Sequence, residues 1–157
     1  PTYRVVLIGI GGDLLRELIR TRVRHGAERI VIPDFVDRQT LIRFYQESQI
    51  IFVPSRSESL HLAAAEALCC GCSVVGAGII PSMQWFAGRA SGTLAPRRTA
   101  ADFSDALLAE AQAWAHDDRD PVAISADWRS RILDTVSARR ILDEVEALDA
   151  SPAAQIS

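Results

Sequence analysis

The sequence predicts an α/β domain: a parallel sheet with helices on both faces. Short apolar runs alternate along the chain with longer amphipathic stretches. The runs are apolar at nearly every position, as strands buried on both faces are. Several of them close on a glycine or a proline, which breaks a strand and turns the chain. Together these place helices on either side of parallel strands.

Each element follows from its residues. Tyr3 to Gly9 reads as a first, buried strand. Gly11-Gly12 then turns the chain, and Asp13 is placed to cap a helix through about Arg24. Leu14, Leu15, Leu18, Ile19 and Val23 form its apolar face, and Gly26 is its stop. Arg29 to Ile32 is a short second strand ended by Pro33. Arg38 to Glu47 is a helix with Leu41, Ile42 and Tyr45 at helical spacing. Ile50 to Val53 is a third strand, closed by Pro54. Leu60 to Cys70 is an alanine-rich buried helix, and Ser73 to Val75 a fourth strand. Ile80 to Ala87 is a short helix, Gly92 to Leu94 a last strand, and Ala100 to His116 an amphipathic helix. After Pro121 the pattern is helical to about Leu148, with a break near Ser137. Residues 1–150 are read as one domain and 151–157 as a frayed tail.

Composition narrows the function. The chain has 157 residues, 48% hydrophobic and 24% charged, which suits one globular domain. The formal net charge of -3 supplies no basic field for nucleic acid. No apolar run approaches the ~20 residues of a membrane span, and no signal peptide opens the chain, so the expectation is a cytoplasmic, soluble protein. All 17 basic residues are arginines. Without lysine there is no P-loop lysine for a phosphate and no amine for a Schiff base. Cys69-Cys70-Gly71-Cys72 lacks the paired spacing of a zinc site, and the three histidines do not complete one. These thiols are expected to be reduced, with at least two of them buried.

Ligands of parallel sheets bind beyond the carboxyl ends of the strands, so the loops 9–13, 33–37, 54–60 and 76–83 are the ones to inspect. Gly9-x-Gly11-Gly12 begins like a dinucleotide fingerprint but has Leu at position 14, where the third glycine belongs. A tight strand-to-helix turn accounts for it. The loop after the third strand carries Glu58, and Glu66 follows eight positions later inside an otherwise apolar helix. Helical side chains lean toward the N-terminus, so Glu66 can reach something lying along the first two turns, a span of ~9 Å. That is about the distance from a nucleotide's diphosphate to its ribose, with the diphosphate on the free N–H groups of the helix start. An alternative fits equally: Glu58 favoured by the helix dipole, and Glu66 a buried acid satisfied by backbone or arginine.

Larger blocks now align. Phe35-Val36-Asp37, Leu41-x3-Tyr45-x4-Ile50-Ile51-Phe52-Val53-Pro54-Ser55, Glu58-x7-Glu66-Ala67 and Gly71-Cys72-Ser73-Val74-Val75 together resemble the retaining, nucleotide-sugar-dependent glycosyltransferases of the GT-B fold, the family 4 type. The resemblance runs from about Tyr3 to about Ala106. It implies a Rossmann-like half-domain that binds a nucleotide-diphosphate sugar and passes the sugar, with retention, to an acceptor hydroxyl. By that resemblance Glu66 accepts from the ribose hydroxyls, and Glu58 lies at the catalytic centre beside the donor sugar. Ser59, Leu60, His61 and Leu62 face the diphosphate, and Phe35 and Val36 hold the base. No metal and no cofactor are implied; the nucleotide sugar is the donor substrate.

Three departures from the family pattern stand out. Ser59-Leu60-His61 replaces a Gly-Phe-Gly-like run. The loop 76–84 lacks the usual acid near the sugar, leaving Ser82 and Gln84 as its polar groups. The N-terminal, acceptor-binding domain and the segment with a basic pair for the diphosphate are not in this sequence, so Arg56 is the nearest local candidate for that charge, or else a solvated loop residue. The resemblance therefore implies a partner domain, in the full protein or in trans. The other reading is a stand-alone nucleotide-sugar-binding or interaction module, or an inactive remnant.

Overall fold

The structure is a computed structural model that describes residues 3–9, 12–57, 59–88 and 90–132. The helix expected up to Leu148, its break near Ser137 and the tail 151–157 lie outside the described residues, as do Gly11 and Glu58. The described residues have the predicted α/β architecture of parallel strands flanked by helices. They fall into two compact units, residues 1–41 and 42–157, with two separate strand ladders.

In the first unit β1 (Val5–Val6) pairs in parallel with β2 (Ile30–Val31), Val5 opposite Ile30 and Val6 opposite Val31. Between them lie α1 (Gly12–Arg22) and a 3-10 turn over Ala27–Arg29. Three expectations are corrected here. The first strand is two residues long and Val5 is exposed, because its ladder holds one short partner and a two-stranded pair cannot cover its own faces. Asp13 does not cap α1; it sits inside the first turn, where its carboxylate accepts from Arg16 at 3.0 Å. On α1 Leu15 and Ile19 are half-buried, as is Val23 just past its end, while Leu14 and Leu18 are exposed, so the apolar stripe is the narrower i, i+4, i+8 row. Arg16 also donates to the Ile32 carbonyl at 3.0 Å and to the Asp34 carboxylate, tying α1 to the end of β2.

Helix α2 (Arg38–Glu47) matches its expected span and crosses the boundary between the units. Asp37 starts it by accepting the Thr40 N–H at 2.7 Å.

The second unit is built on β3 (Ile50–Val53), β4 (Ser73–Ala77) and β5 (Gly92–Ala95), all parallel, with β4 in the middle. Every residue of β4 is buried. Val74 joins a core with Ala64, Ala65 and Leu68 of α3 (Leu62–Cys69), Met83 and Phe86 of α4 (Pro81–Phe86), and Ile124 and Trp128 of α6 (Pro121–Ile132). Val75 enters a second cluster with Ala95 and with Ala106 of α5 (Ala100–Ala115). Alternation along β4 therefore feeds two packing layers. Phe52 meets Phe103 of α5 edge to face at 5.1 Å between centroids.

Two glycines are required by geometry. At Gly71 the backbone turns left-handed (φ 97°) to end α3, with its N–H on the Leu68 carbonyl and that of Cys72 on Ala67. At Gly92 an added Cβ would stand 2.1 Å from the Val74 carbonyl oxygen. Gly92→Ala must therefore push β5 away from β4, and should destabilise the protein by at least about 1–3 kcal/mol in a urea titration, the usual cost of overpacking.

The α5 side also contains a buried ion pair. Glu110 is fully buried; Arg119 donates to it from Nε at 2.6 Å and Nη2 at 2.8 Å, and Thr93 donates at 2.6 Å. Burial by itself raises the Glu110 carboxyl, but hydrogen bonds from Arg119, Ser73 and Thr93 outweigh it and hold the pKa below its ordinary 4.5. A carboxylate held low contributes stability above its unfolded pKa and loses it as the pH falls through the folded value. Urea midpoints should thus fall as the pH drops below about 4.5, and less steeply in Glu110→Gln. Arg119→Met, which strands the buried carboxylate, should cost about 3–5 kcal/mol at neutral pH.

Candidate functional site

The carboxyl edge of the β3–β4–β5 sheet is formed by three loops: 54–61 after β3, 78–80 after β4 and 96–99 after β5. The first runs directly into α3. His61 is the residue before α3, and its carbonyl accepts the first helical bond, from Ala65. The amides of Leu62, Ala63 and Ala64 have no partner within the helix, and among the described residues no side chain caps them. An uncapped helix start at the carboxyl edge of a parallel sheet presents donors and the positive end of the helix dipole to an anion. Leu60 and Leu62 flank it with more than half of their surface exposed.

His61 turns inward. Its Nε2 bonds the Ser55 Oγ at 3.0 Å, closing the loop between the end of β3 and the start of α3. Ser59 is exposed beside it. Arg56 is exposed. After β4, Gln84 of α4 is already engaged, donating to the Gly78 carbonyl at 2.7 Å.

Glu66 lies in the second turn of α3 and is half-buried. Burial, with the negative charge of nearby Glu66 next in effect, pushes the Tyr45 phenol up to about 12. The phenol therefore stays protonated. Ser55, Ser59, Leu60, His61, Leu62 and Glu66 thus share one loop and helix of the second unit. Phe35, 85% exposed, and Val36, half-buried, follow β2 in the first unit. Glu58 lies outside the described residues.

One residue of this edge was not among the sequence candidates. Arg98, after β5, donates from Nε to the Ser55 carbonyl at 3.0 Å, with Nη2 at 3.5 Å from the Pro54 carbonyl. The signal was available. The rule that singled out the loops after the other strands applies equally to Arg97-Arg98-Thr99 after Gly92 to Leu94.

A family model described as "Glycosyl transferases group 1" matches residues 1–112, from the start of the chain into α5. The chain belongs to the group 1 glycosyl transferases. Its relatives in this family include the D-inositol 3-phosphate glycosyltransferase of Mycobacteroides abscessus, 35% identical over 112 residues, which are 68% of this chain and 25% of that protein. The enzyme of the same name from Kribbella flavida is 36% identical over 115 residues, 68% of this chain and 27% of the relative. That of Mycolicibacterium smegmatis is 30% identical over 130 residues, 80% of this chain and 29% of the relative. The chain thus spans about a quarter of the length of these relatives. Among the described residues no helix is long and apolar enough to cross a membrane.

All three cysteines are free thiols at the end of α3 and the start of β4. Only Cys72 is buried, which corrects the expectation of at least two: the chain turns at Gly71, and Cys69 and Cys70 remain half-buried on the last turn of α3. Cys72 Sγ donates to the Tyr45 carbonyl at 3.0 Å, latching the end of α2. Burial pushes its thiol up to about 12, and it raises those of Cys69 and Cys70 despite Arg129 nearby. Thiolates are the reactive form. At pH 8, Ellman's reagent should therefore label the native protein slowly, with Cys72 last, and take up three equivalents at once in denaturant.

Proposed function

We propose that this chain is the donor-binding, C-terminal part of a retaining glycosyltransferase that moves a sugar from a nucleotide-diphosphate sugar to an acceptor hydroxyl. The observation that carries the reading is the uncapped start of α3 at the carboxyl edge of the sheet, with Glu66 in the next turn, in a chain of this family. The diphosphate would lie on the amides of Leu62, Ala63 and Ala64. The ribose would then fall within reach of Glu66. Glu58 would stand beside the sugar as the catalytic carboxylate.

The chemistry asks two things of the protein. As the bond from the anomeric carbon to the diphosphate oxygen breaks, negative charge grows on the leaving group, and preoriented N–H donors stabilise it best. The acceptor oxygen must also be held ~3–3.5 Å from that carbon. Residues of this chain serve the first requirement. The second falls to an acceptor-binding domain, in the full protein or in trans, so the chain alone should be inactive. The relatives' names make D-inositol 3-phosphate, a phosphorylated polyol, the first acceptor to test.

Calorimetric titration with UDP, GDP and their sugar conjugates tests the site. One nucleotide series should bind, and Glu66→Ala should weaken it by about 1.5–3 kcal/mol, the worth of hydrogen bonds to a charged group. Equal affinity in mutant and parent would reject the ribose role. Incubation of the 157-residue chain with donor and acceptor should yield no transfer. Turnover that disappears in Glu58→Gln would show that no second domain is needed.

A further inference from the structure

Two arginines follow β5, and the structure gives them different partners. Arg97 forks onto Asp102, with Nε at 3.0 Å and Nη2 at 3.2 Å from the carboxylate oxygens. Thr99 caps α5 by accepting the Asp102 N–H at 3.1 Å and donates back to the same carboxylate at 2.6 Å. These bonds brace the turn from β5 into α5 on both sides of residue 98. Arg98 extends from this brace to the neighbouring loop, onto the carbonyls of Ser55 at 3.0 Å and Pro54 at 3.5 Å. It makes no ion pair with any described residue. Carbonyl dipoles orient a guanidinium without neutralising it, so the positive charge survives at this edge.

The residues Arg98 grips matter because of what they hold. Ser55 bonds His61, and His61 is the residue from which α3 starts. Two hydrogen bonds, from Arg98 to the Ser55 carbonyl and between the Ser55 hydroxyl and the His61 ring, thus link the β5–α5 turn to the residue that precedes α3. We propose that Arg98 is a positioning residue: it fixes the loop 54–61 so that the first turn of α3 is presented at a set angle to a nucleoside diphosphate, and adds a cation beside that anion. The inference rests on the donor-binding reading above. It goes beyond it in assigning the diphosphate's orientation and part of its charge compensation to a residue 43 positions from the loop it serves.

The fork geometry separates this role from a charge that merely happens to be near. Arginine can hold two carbonyls at once, whereas a lysine ammonium is a single point of attachment. The test uses the whole chain, with UDP, GDP and uridine or guanosine as calorimetric ligands and amide hydrogen exchange as a second readout. Arg98→Met should weaken the bound nucleoside diphosphate about ten- to a hundredfold and leave the affinity for the matching nucleoside within about twofold. Exchange at the Ala65 amide, which bonds the His61 carbonyl at the start of α3, should quicken, with that of β4 unchanged. Arg98→Lys should recover little of the affinity and none of the protection. If the parent chain binds neither diphosphate, the donor-binding reading itself fails and takes this inference with it. If the parent binds and Arg98→Met binds equally well, or Arg98→Lys restores affinity in full, the positioning role alone is overturned.

Discussion

β4 has neighbours on both edges and packing on both faces, and nothing on it reaches solvent. That burial constrains the rest of the second unit. A strand enclosed in this way must bond every backbone group to its neighbours, so β3 and β5 are fixed in register against it. Close approach follows, and Gly92 is where the two backbones come nearest. The loops that leave the three strands at their carboxyl ends are therefore anchored at one end by a rigid sheet. The candidate site is assembled from those loops and from the first turns of α3.

The part of the fold that was legible in the sequence is the part decided locally. α2 was readable over Arg38–Glu47, and β3 over Ile50–Val53, because each is bounded by its own turn chemistry. α3 and α5 were readable to within about two residues for the same reason. β1 was not, since an apolar run becomes a long buried strand only where neighbours cover it. The narrow stripe on α1 has the same cause: apolar spacing shows which residues could be buried and leaves the contact to the tertiary structure.

The candidate site divides along similar lines. Glu58 and Glu66 stand out by spacing alone, and the helix start between them by the change from a polar loop to an apolar run. His61 and Arg98 do not. His61 reads as a ligand in the sequence, and spacing does not show the bond to the Ser55 hydroxyl that the structure adds. Arg98 draws no attention in the sequence, and the order β3–β4–β5 is what brings it to the Pro54–Ser55 backbone. Glu110 and Arg119 were hidden for a related reason. Charged residues in an amphipathic helix and the following turn read as a solvated face until a threonine on the sheet meets the carboxylate.

The buried Glu110–Arg119 pair gives the molecule an asymmetry toward ionic strength. Mobile ions screen charges that water can reach, with a Debye length of about 8 Å at physiological salt, and hardly touch a pair sealed from solvent. Glu110 is sealed, and the Arg119 side chain is only 9% exposed. Arg56, Arg98 and the first turn of α3 stand at or near the surface. Added salt therefore weakens the field of the carboxyl edge while leaving that internal ion pair almost untouched, so the electrostatics of the surface and of the interior answer to different solution conditions.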